Sequence, residues 1–516
     1  MKNAAAARAH KAGDASDDAG LVSPGVMLAA TSSKRTILFV TTEMSDCVKV
    51  GGLGEVSAAL PRALASHFDV RVIIPGYPQV LARHRNLTIV GEIDAHAKMP
   101  ACRLARAQTP DGLVVYIVVA PELFERDGTP YGDCTGADWF DNHIRFGHLS
   151  SVAAEVALGR VDASWSADLV HCNDWPSALT PAYMRWSGRA APSVLTVHNL
   201  AYQGLFPRSL IGDIGVPQSD FHMEGVEFYD QLSFMKAGLV YADHITTVSR
   251  TYAREITTQE HGCGLEGVLQ QRAAEGRLTG IVNGIDESWN PASDPYLATN
   301  FESGDWASRR INTLAVREAF GLGLSKGPLF AVVSRLVQQK GIDFIMQAAD
   351  EIVEHGGQIA VIGQGDPEIE KAMRCRFARH PQALGFQDRY DEVLARRMFA
   401  GSHFLLMPSR FEPCGLSQMF AQRFGSLPIV HRTGGLADTV RDGVTGFQFS
   451  AMSVNGLLNG VRRAFAVFDK KPLLSRMRAA AMKQTFSWTE SADTYGSLYM
   501  RGIGNRSFSL RATRGV

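Results

Sequence analysis

Cysteine is scarce. Its seven residues (Cys47, Cys102, Cys134, Cys172, Cys263, Cys375 and Cys414) are odd in number, scattered through 516 positions, and include no C-x-x-C pair. That pattern argues against a disulfide framework or a zinc ribbon, and makes a reducing, cytoplasmic setting the expectation. An excess of either charge is lacking too: Lys and Arg total 52, as do Asp and Glu. With zero net charge, no long-range field draws nucleic acid or an anionic membrane, so neither is expected as a partner. An anionic ligand must be held by a local pocket of charge. The longest apolar run, Leu113 to Ala120, is far short of the roughly 18 residues that span a bilayer. No H-E-x-x-H or P-loop occurs, so zincin and P-loop chemistry find no support.

Hydrophobic residues make up 45% of the chain, ample for two to four domains. Residues 1–34, rich in Ala, Ser, Gly and Asp, read as a disordered leader; Asp14, Asp17, Asp18 and Pro24 spoil a secretory signal. From Thr36 short β-branched runs alternate with helix-length amphipathic segments. The strands expected first are Ile37–Thr41, Val70–Ile74, Val114–Val119, Leu169–Cys172, Val194–Val197 and Ile245–Val248. After a break come Leu329–Val333, Ile359–Ile362, Phe404–Met407 and Pro428–His431. Such apolar runs spaced by helices fit parallel strands joined by right-handed crossovers, giving doubly wound α/β layers. Residues 286–325 lack a strand-like run and carry Pro291, Pro295, Gly304 and Gly323. A hinge is placed there, with domains at 35–284 and 285–485.

The informative residues follow the strands. After the first comes Lys49-Val-Gly51-Gly52-Leu-Gly-Glu55, paired glycines opening a helix, where backbone N–H groups and the helix N-terminus can meet a phosphate. It is not the G-x-G-x-x-G dinucleotide fingerprint. Arg432-Thr433-Gly434-Gly435-Leu repeats the device in the second half, so two cradles point to a phosphate-bearing ligand between domains. Arg335 and Lys340 follow Leu329–Val333, a guanidinium fork and a point charge suited to phosphate oxygens. Glu412, in Ser409-Arg-Phe-Glu-Pro-Cys414-Gly415-Leu416, follows Phe404–Met407. His171-Cys-Asn-Asp174-Trp175 and Thr196-Val-His198-Asn199-Leu-Ala-Tyr202 each set a polar pair beside an aromatic, a composition suited to sugars. Each also has a plain structural reading: a solvated loop cation, a helix-capping acid, a satisfied core histidine.

Together with Phe234-Met-Lys-Ala-Gly238, Ala242-Asp-His-Ile-Thr-Thr-Val-Ser249 and Asn283-Gly-Ile-Asp286, these motifs resemble the bacterial glycogen synthases and plant starch synthases, in order, from residue 36 to about 500. The resemblance implies a GT-B α/β fold: two Rossmann-like doubly wound domains, acceptor side then donor side, with an interdomain active-site cleft. It also implies a C-terminal helix, 486–503, that returns to the first domain. The implied activity is retaining transfer of glucose from ADP-glucose to the non-reducing end of an α-1,4-glucan, with ADP-glucose as co-substrate and neither cofactor nor metal. By resemblance, Lys49, Gly51 and Gly52 contact the donor phosphates, and Arg335 and Lys340 hold the diphosphate. Glu412 lies against the donor glucose, His198 contacts the sugar and Asp174 stands near the reaction centre. Asn199, Asn283, Cys414, Gly415, Leu416, Thr433, Gly434 and Gly435 fall to substrate binding, and Phe386 to stacking on the adenine. Val50, Glu55, Asn173 and Pro176 depart from the family pattern. A UDP-glucose enzyme of the same fold, a pyridoxal-phosphate phosphorylase, or a glucan-binding relative with a decayed site are the competing readings. Acceptor length and oligomeric state are not legible.

Overall fold

The computed structural model describes residues 34–512, Tyr390 excepted. The leader expected at 1–34 lies, but for its last residue, outside the described residues. In chain order the first strands are β1 (Thr36–Val40), β2 (Asp69–Pro75), β3 (Thr88–Ile93), β4 (Cys102–Gln108), β5 (Val114–Val119), β6 (Leu169–Asn173) and β7 (Ser193–Val197). Three short strands follow: β8 (Leu205–Pro207), β9 (Glu227–Phe228) and β10 (Gln231–Ser233). Then come β11 (His244–Thr247) and β12 (Leu278–Gly280). Nine of them form one sheet, ordered β12-β11-β7-β6-β1-β2-β5-β4-β3, while β8, β10 and β9 form a small antiparallel sheet of their own. Residues of β1, β6 and β7 are buried almost without exception, as expected of apolar runs covered by helices on both faces.

Not every connection is a parallel crossover. β4 runs antiparallel to β5, and β3 antiparallel to β4, with a register shift between Ile89 and Gly91. The sequence reading passed over both strands because neither is continuously apolar. Cys102–Gln108 carries Arg103 and Arg106 among its buried residues, and Thr88–Ile93 is an edge strand that is largely exposed.

A second sheet contains β13 (Leu329–Val333), β14 (Gln358–Ile362), β15 (Leu384–Gln387), β16 (Phe404–Met407), β17 (Leu427–His431) and β18 (Phe447–Phe449). All its pairings are parallel, in the order β15-β14-β13-β16-β17-β18. The chain winds outward from β13 in one direction and then from β16 in the other. Loops after these two strands therefore splay apart and leave a crevice at their carboxyl ends. β1 and β6 stand in the same relation in the first sheet.

The helix Trp488–Ala512 packs against the helix Gly52–Leu64 and against β6. Tyr495 and Tyr499 are buried in the first core. The Tyr499 hydroxyl lies 2.6 Å from His171 Nδ1, whose Nε2 is 2.6 Å from Thr196 Oγ1. Burial pushes the His171 imidazole down to about 3, so it is neutral and takes no part in the cleft. The helix Arg250–Glu255 meets the helix Gly434–Thr439, where Asp438 accepts hydrogen bonds from Thr251 N (2.9 Å) and Oγ1 (2.7 Å).

Candidate active site

A cleft of about 1310 Å³ opens where the carboxyl ends of the two sheets face one another. Lys49, Gly51, Gly52, Asp174, His198, Asn199, Asn283, Arg335, Lys340, Glu412, Cys414, Gly415 and Leu416 all line it. They come from loops following β1, β6, β7, β12, β13 and β16, so the topology gathers residues far apart in sequence.

On the first sheet's side, Asp174 directly follows β6 with φ 56°, a left-handed backbone unusual for a residue other than glycine. This turn aims its carboxylate at the next strand's loop, where Oδ1 accepts from His198 N at 2.9 Å and Asn199 N at 3.4 Å. Burial pushes the Asp174 carboxyl up to about 7, against those two hydrogen bonds. The His198 imidazole is pushed down to about 3 by burial and is neutral. Asn173 spends its amide N–H on Val40 O (3.1 Å), so its Oδ1 accepts from His198 Nε2 at 3.0 Å. The tautomer is thereby fixed with Nδ1 as an acceptor.

The first glycine turn is already occupied by an internal acid. Glu43 accepts from Val50 N (2.7 Å), Gly51 N (2.9 Å) and the Tyr131 hydroxyl (2.6 Å). Lys49 pairs with Glu55 at 2.5 Å, both partly exposed.

On the second sheet's side, Glu412 is buried, and one carboxylate oxygen accepts from Lys340 Nζ (2.6 Å) and Ser409 Oγ (2.9 Å). Arg335 is exposed on the same wall and forms no ion pair among the described residues. Gly415 has φ 71°, and a β-carbon there would lie 2.4 Å from Gln418 Oε1 and 3.1 Å from Glu412 Cγ. Burial pushes the Cys414 thiol up to about 12, which removes it as a nucleophile. Asn283 is buried on the cleft wall, and its Oδ1 finds no hydrogen-bond partner among the described residues.

Two expectations are corrected. Thr433, Gly434 and Gly435 do not face the cleft. Thr433 Oγ1 and Gly434 N donate to Glu255, at 3.0 Å each, so this helix N-terminus also holds an internal carboxylate. The glycines are needed for close approach: a β-carbon on Gly434 would lie 1.9 Å from Glu412 O, and one on Gly435 2.1 Å from Cys414 O. They support the loop that carries Glu412. Phe386, in β15, lies outside the cleft; its ring packs on the core and carries the Arg374 guanidinium 5.2 Å above it.

Sequence reasoning missed Glu43 and Tyr131, which bond each other in the cleft wall. Glu43 sits just past a strand's carboxyl end, a signal that applied equally to the residues that were chosen. Tyr131 lies in a loop with no local signature.

The family profile described as the starch synthase catalytic domain matches residues 36–271, and glycosyl transferases group 1 matches 327–466. Glycogen synthase of Pseudomonas putida is 55% identical over 476 residues, 92% of each chain. Glycogen synthase 1 of Bradyrhizobium diazoefficiens is 56% identical over 458 residues, 89% of this chain and 99% of that one. Among solved structures, the catalytic domain of starch synthase IV from Arabidopsis thaliana, bound to ADP and acarbose, superposes with a TM-score of 0.81 at 31% identity, covering 92% of this chain and 100% of that one. Sucrose-phosphate synthase from Thermosynechococcus elongatus shares the fold at a TM-score of 0.58 and 17% identity, covering 92% and 100%. With its two doubly wound sheets closing on one cleft, this chain belongs to the glycogen synthase family of GT-B glycosyltransferases.

Proposed function

We propose that the enzyme transfers glucose from ADP-glucose to the non-reducing end of an α-1,4-glucan, with retention at the anomeric carbon and without a metal. The observation that carries this reading is the Lys340–Glu412 pair at the carboxyl ends of β13 and β16, within the same cleft as Asp174 and His198. A starch synthase solved with ADP and acarbose, similar over 92% of this chain, supports the choice of donor and acceptor.

Glucosyl transfer builds positive charge at the anomeric carbon and negative charge on the leaving diphosphate. Groups that bind the diphosphate more strongly as it departs lower the barrier. Arg335 and Lys340 serve the diphosphate, with Lys49 opposite. Binding draws Lys340 toward phosphate and leaves Glu412 beside the donor glucose, where a carboxylate steadies the cationic centre. Neutral His198 offers Nδ1 to a sugar hydroxyl, and Asp174 sets the turn that presents it. The acceptor hydroxyl attacks from the face the diphosphate leaves, and the phosphate takes its proton. In this reading 35–284 forms the acceptor domain and 285–485 the donor domain, with 486–503 returning to the first. The burial of Tyr495 and Tyr499 beside β6 supports that return. The seven cysteines are free thiols, which supports a cytoplasmic enzyme.

The test is transfer of labelled glucose to glycogen from ADP-glucose and, separately, from UDP-glucose, with the product digested by amylase. Incorporation from ADP-glucose into an amylase-sensitive product is expected. No incorporation from either donor overturns the proposal.

A further inference from the structure

The small sheet ends in a turn built from the wrong residues. β9 and β10 are antiparallel neighbours joined by Tyr229 and Asp230 alone, with φ of 48° and 61°. A two-residue hairpin with positive φ at both positions is normally Asn-Gly or a close relative, because a β-carbon crowds the left-handed region. An aromatic residue there is strained, and strain of this kind persists where the side chain does something else.

The Tyr229 ring is not held by the core; it is 77% exposed. It stands edge-on to Phe228, with ring centroids 4.7 Å apart, which fixes its orientation. Asp230 lies 3.6 Å from the Arg208 guanidinium, both well exposed. A rigid ring face flanked by a carboxylate and a guanidinium is the composition that sugar rings, with one apolar face and a rim of hydroxyls, call for.

The small sheet ties this platform to the cleft. Leu205 lines the cleft and pairs with Ser233 of β10, while Gln231 at the other end of β10 pairs with Phe228. On the neighbouring flank, cleft residue Gln203 donates to Cys263 O at 2.9 Å, and a β-carbon on Gly264 would lie 3.4 Å from the Tyr229 ring. Tyr202, half exposed, also lines the cleft beside this sheet.

We infer that Tyr229, with Asp230 and Arg208, is an outlying subsite for the acceptor glucan, stacking on a glucose unit several residues from the growing end. The inference rests on the proposed function, since it concerns the chain that leaves the cleft. A short acceptor ends before the hairpin and does not feel it; a glycogen branch does.

The experiment compares glycogen with maltotriose as acceptor at saturating ADP-glucose, and measures retardation of the protein in glycogen-containing gels. Tyr229→Ala is expected to raise KM for glycogen about three- to tenfold, the range for one aromatic contact. It should also weaken gel retardation and leave kcat and KM for maltotriose unchanged. Tyr229→Phe retains wild-type behaviour. The pair Tyr229→Asn with Asp230→Gly restores the favoured turn, so it raises Tm while losing glycogen affinity, which separates binding from folding. Unchanged glycogen KM and retardation in both the Ala and the Asn-Gly variants overturn the inference. Failure of the wild-type enzyme to extend either acceptor overturns the proposed function instead, and the inference with it.

Discussion

Lys340 Nζ lies 2.6 Å from a Glu412 carboxylate oxygen, and the two side chains are only 15% and 7% exposed. The cation proposed for the diphosphate and the acid proposed for the sugar are thus each other's partner before the donor arrives. The donor must part them.

Lys340→Ala is therefore expected to act twice. Loss of a charge-stabilising donor should lower kcat/KM on the order of 10²-fold. Leaving Glu412 buried and unpaired should also destabilise the fold, by about 3 kcal/mol. Lys340→Ala combined with Glu412→Gln should recover most of the stability and none of the activity. Arg335→Ala, at an exposed position, should lower kcat/KM similarly with little change in Tm. Thermal denaturation alongside initial rates checks this; wild-type rates in both single variants would falsify the assignment.

Asp174 sets a pH dependence. Its carboxyl is raised to about 7 in the folded protein, against an ordinary value near 3.8. Between those values the folded state keeps a proton that the unfolded chain releases. Its contribution to stability is complete below about pH 4, falls as pH rises toward 7, and levels off above. Asp174→Asn abolishes that fall. The difference in Tm between wild type and variant, followed from pH 4 to 8, should shift steadily in favour of the variant and then plateau; parallel profiles would count against it.

Gly434→Ala should harm turnover without touching the cleft directly. With φ 42° and its β-carbon position 1.9 Å from Glu412 O, the substitution must displace the loop bearing Glu412. A shift approaching 1 Å at a reacting group can cost about 10²-fold in rate. We expect kcat to fall by that order while ADP affinity, measured by calorimetry, changes only a few-fold. An unaltered kcat would mean that the loop accommodates the methyl group.

Activity should survive exhaustive EDTA treatment in chelexed buffer. Arg335 and Lys340 supply positive charge at the carboxyl end of β13, where many transferases place a divalent ion against the leaving diphosphate. Loss of transfer in EDTA, restored by Mg²⁺ or Mn²⁺, would show that these cations are insufficient.

The parallel strands were legible because full burial demands uninterrupted apolar text, and the cleft residues because ligands gather where such strands end. Glu412, Arg335, His198 and Asp174 were found by that rule together with the family resemblance. β3 and β4 escaped it, since an exposed face admits Arg103 and Arg106. The second glycine turn misled for a different reason. Paired glycines at a helix start announce that something approaches closely, but not whether it is a ligand or the chain itself. Here it is Glu255 from 178 positions away and the carbonyl of Glu412. Phe386 was assigned to the adenine by the resemblance alone, whereas in the structure its ring packs on the second core with the Arg374 guanidinium above it.

The hydrogen bond between Tyr499 and His171 joins residues 328 positions apart. On the ribosome, β1, β6 and β7 emerge early, yet the aromatic residues that close over His171 are synthesised only after the whole second sheet. The catalytic cleft is therefore the product of a late event: the sheet carrying Asp174 and His198 waits, with part of its apolar surface uncovered, until the helix beginning at Trp488 arrives. Nascent chains halted before that helix should be sticky and chaperone-bound even though nearly every residue of the cleft has already been translated.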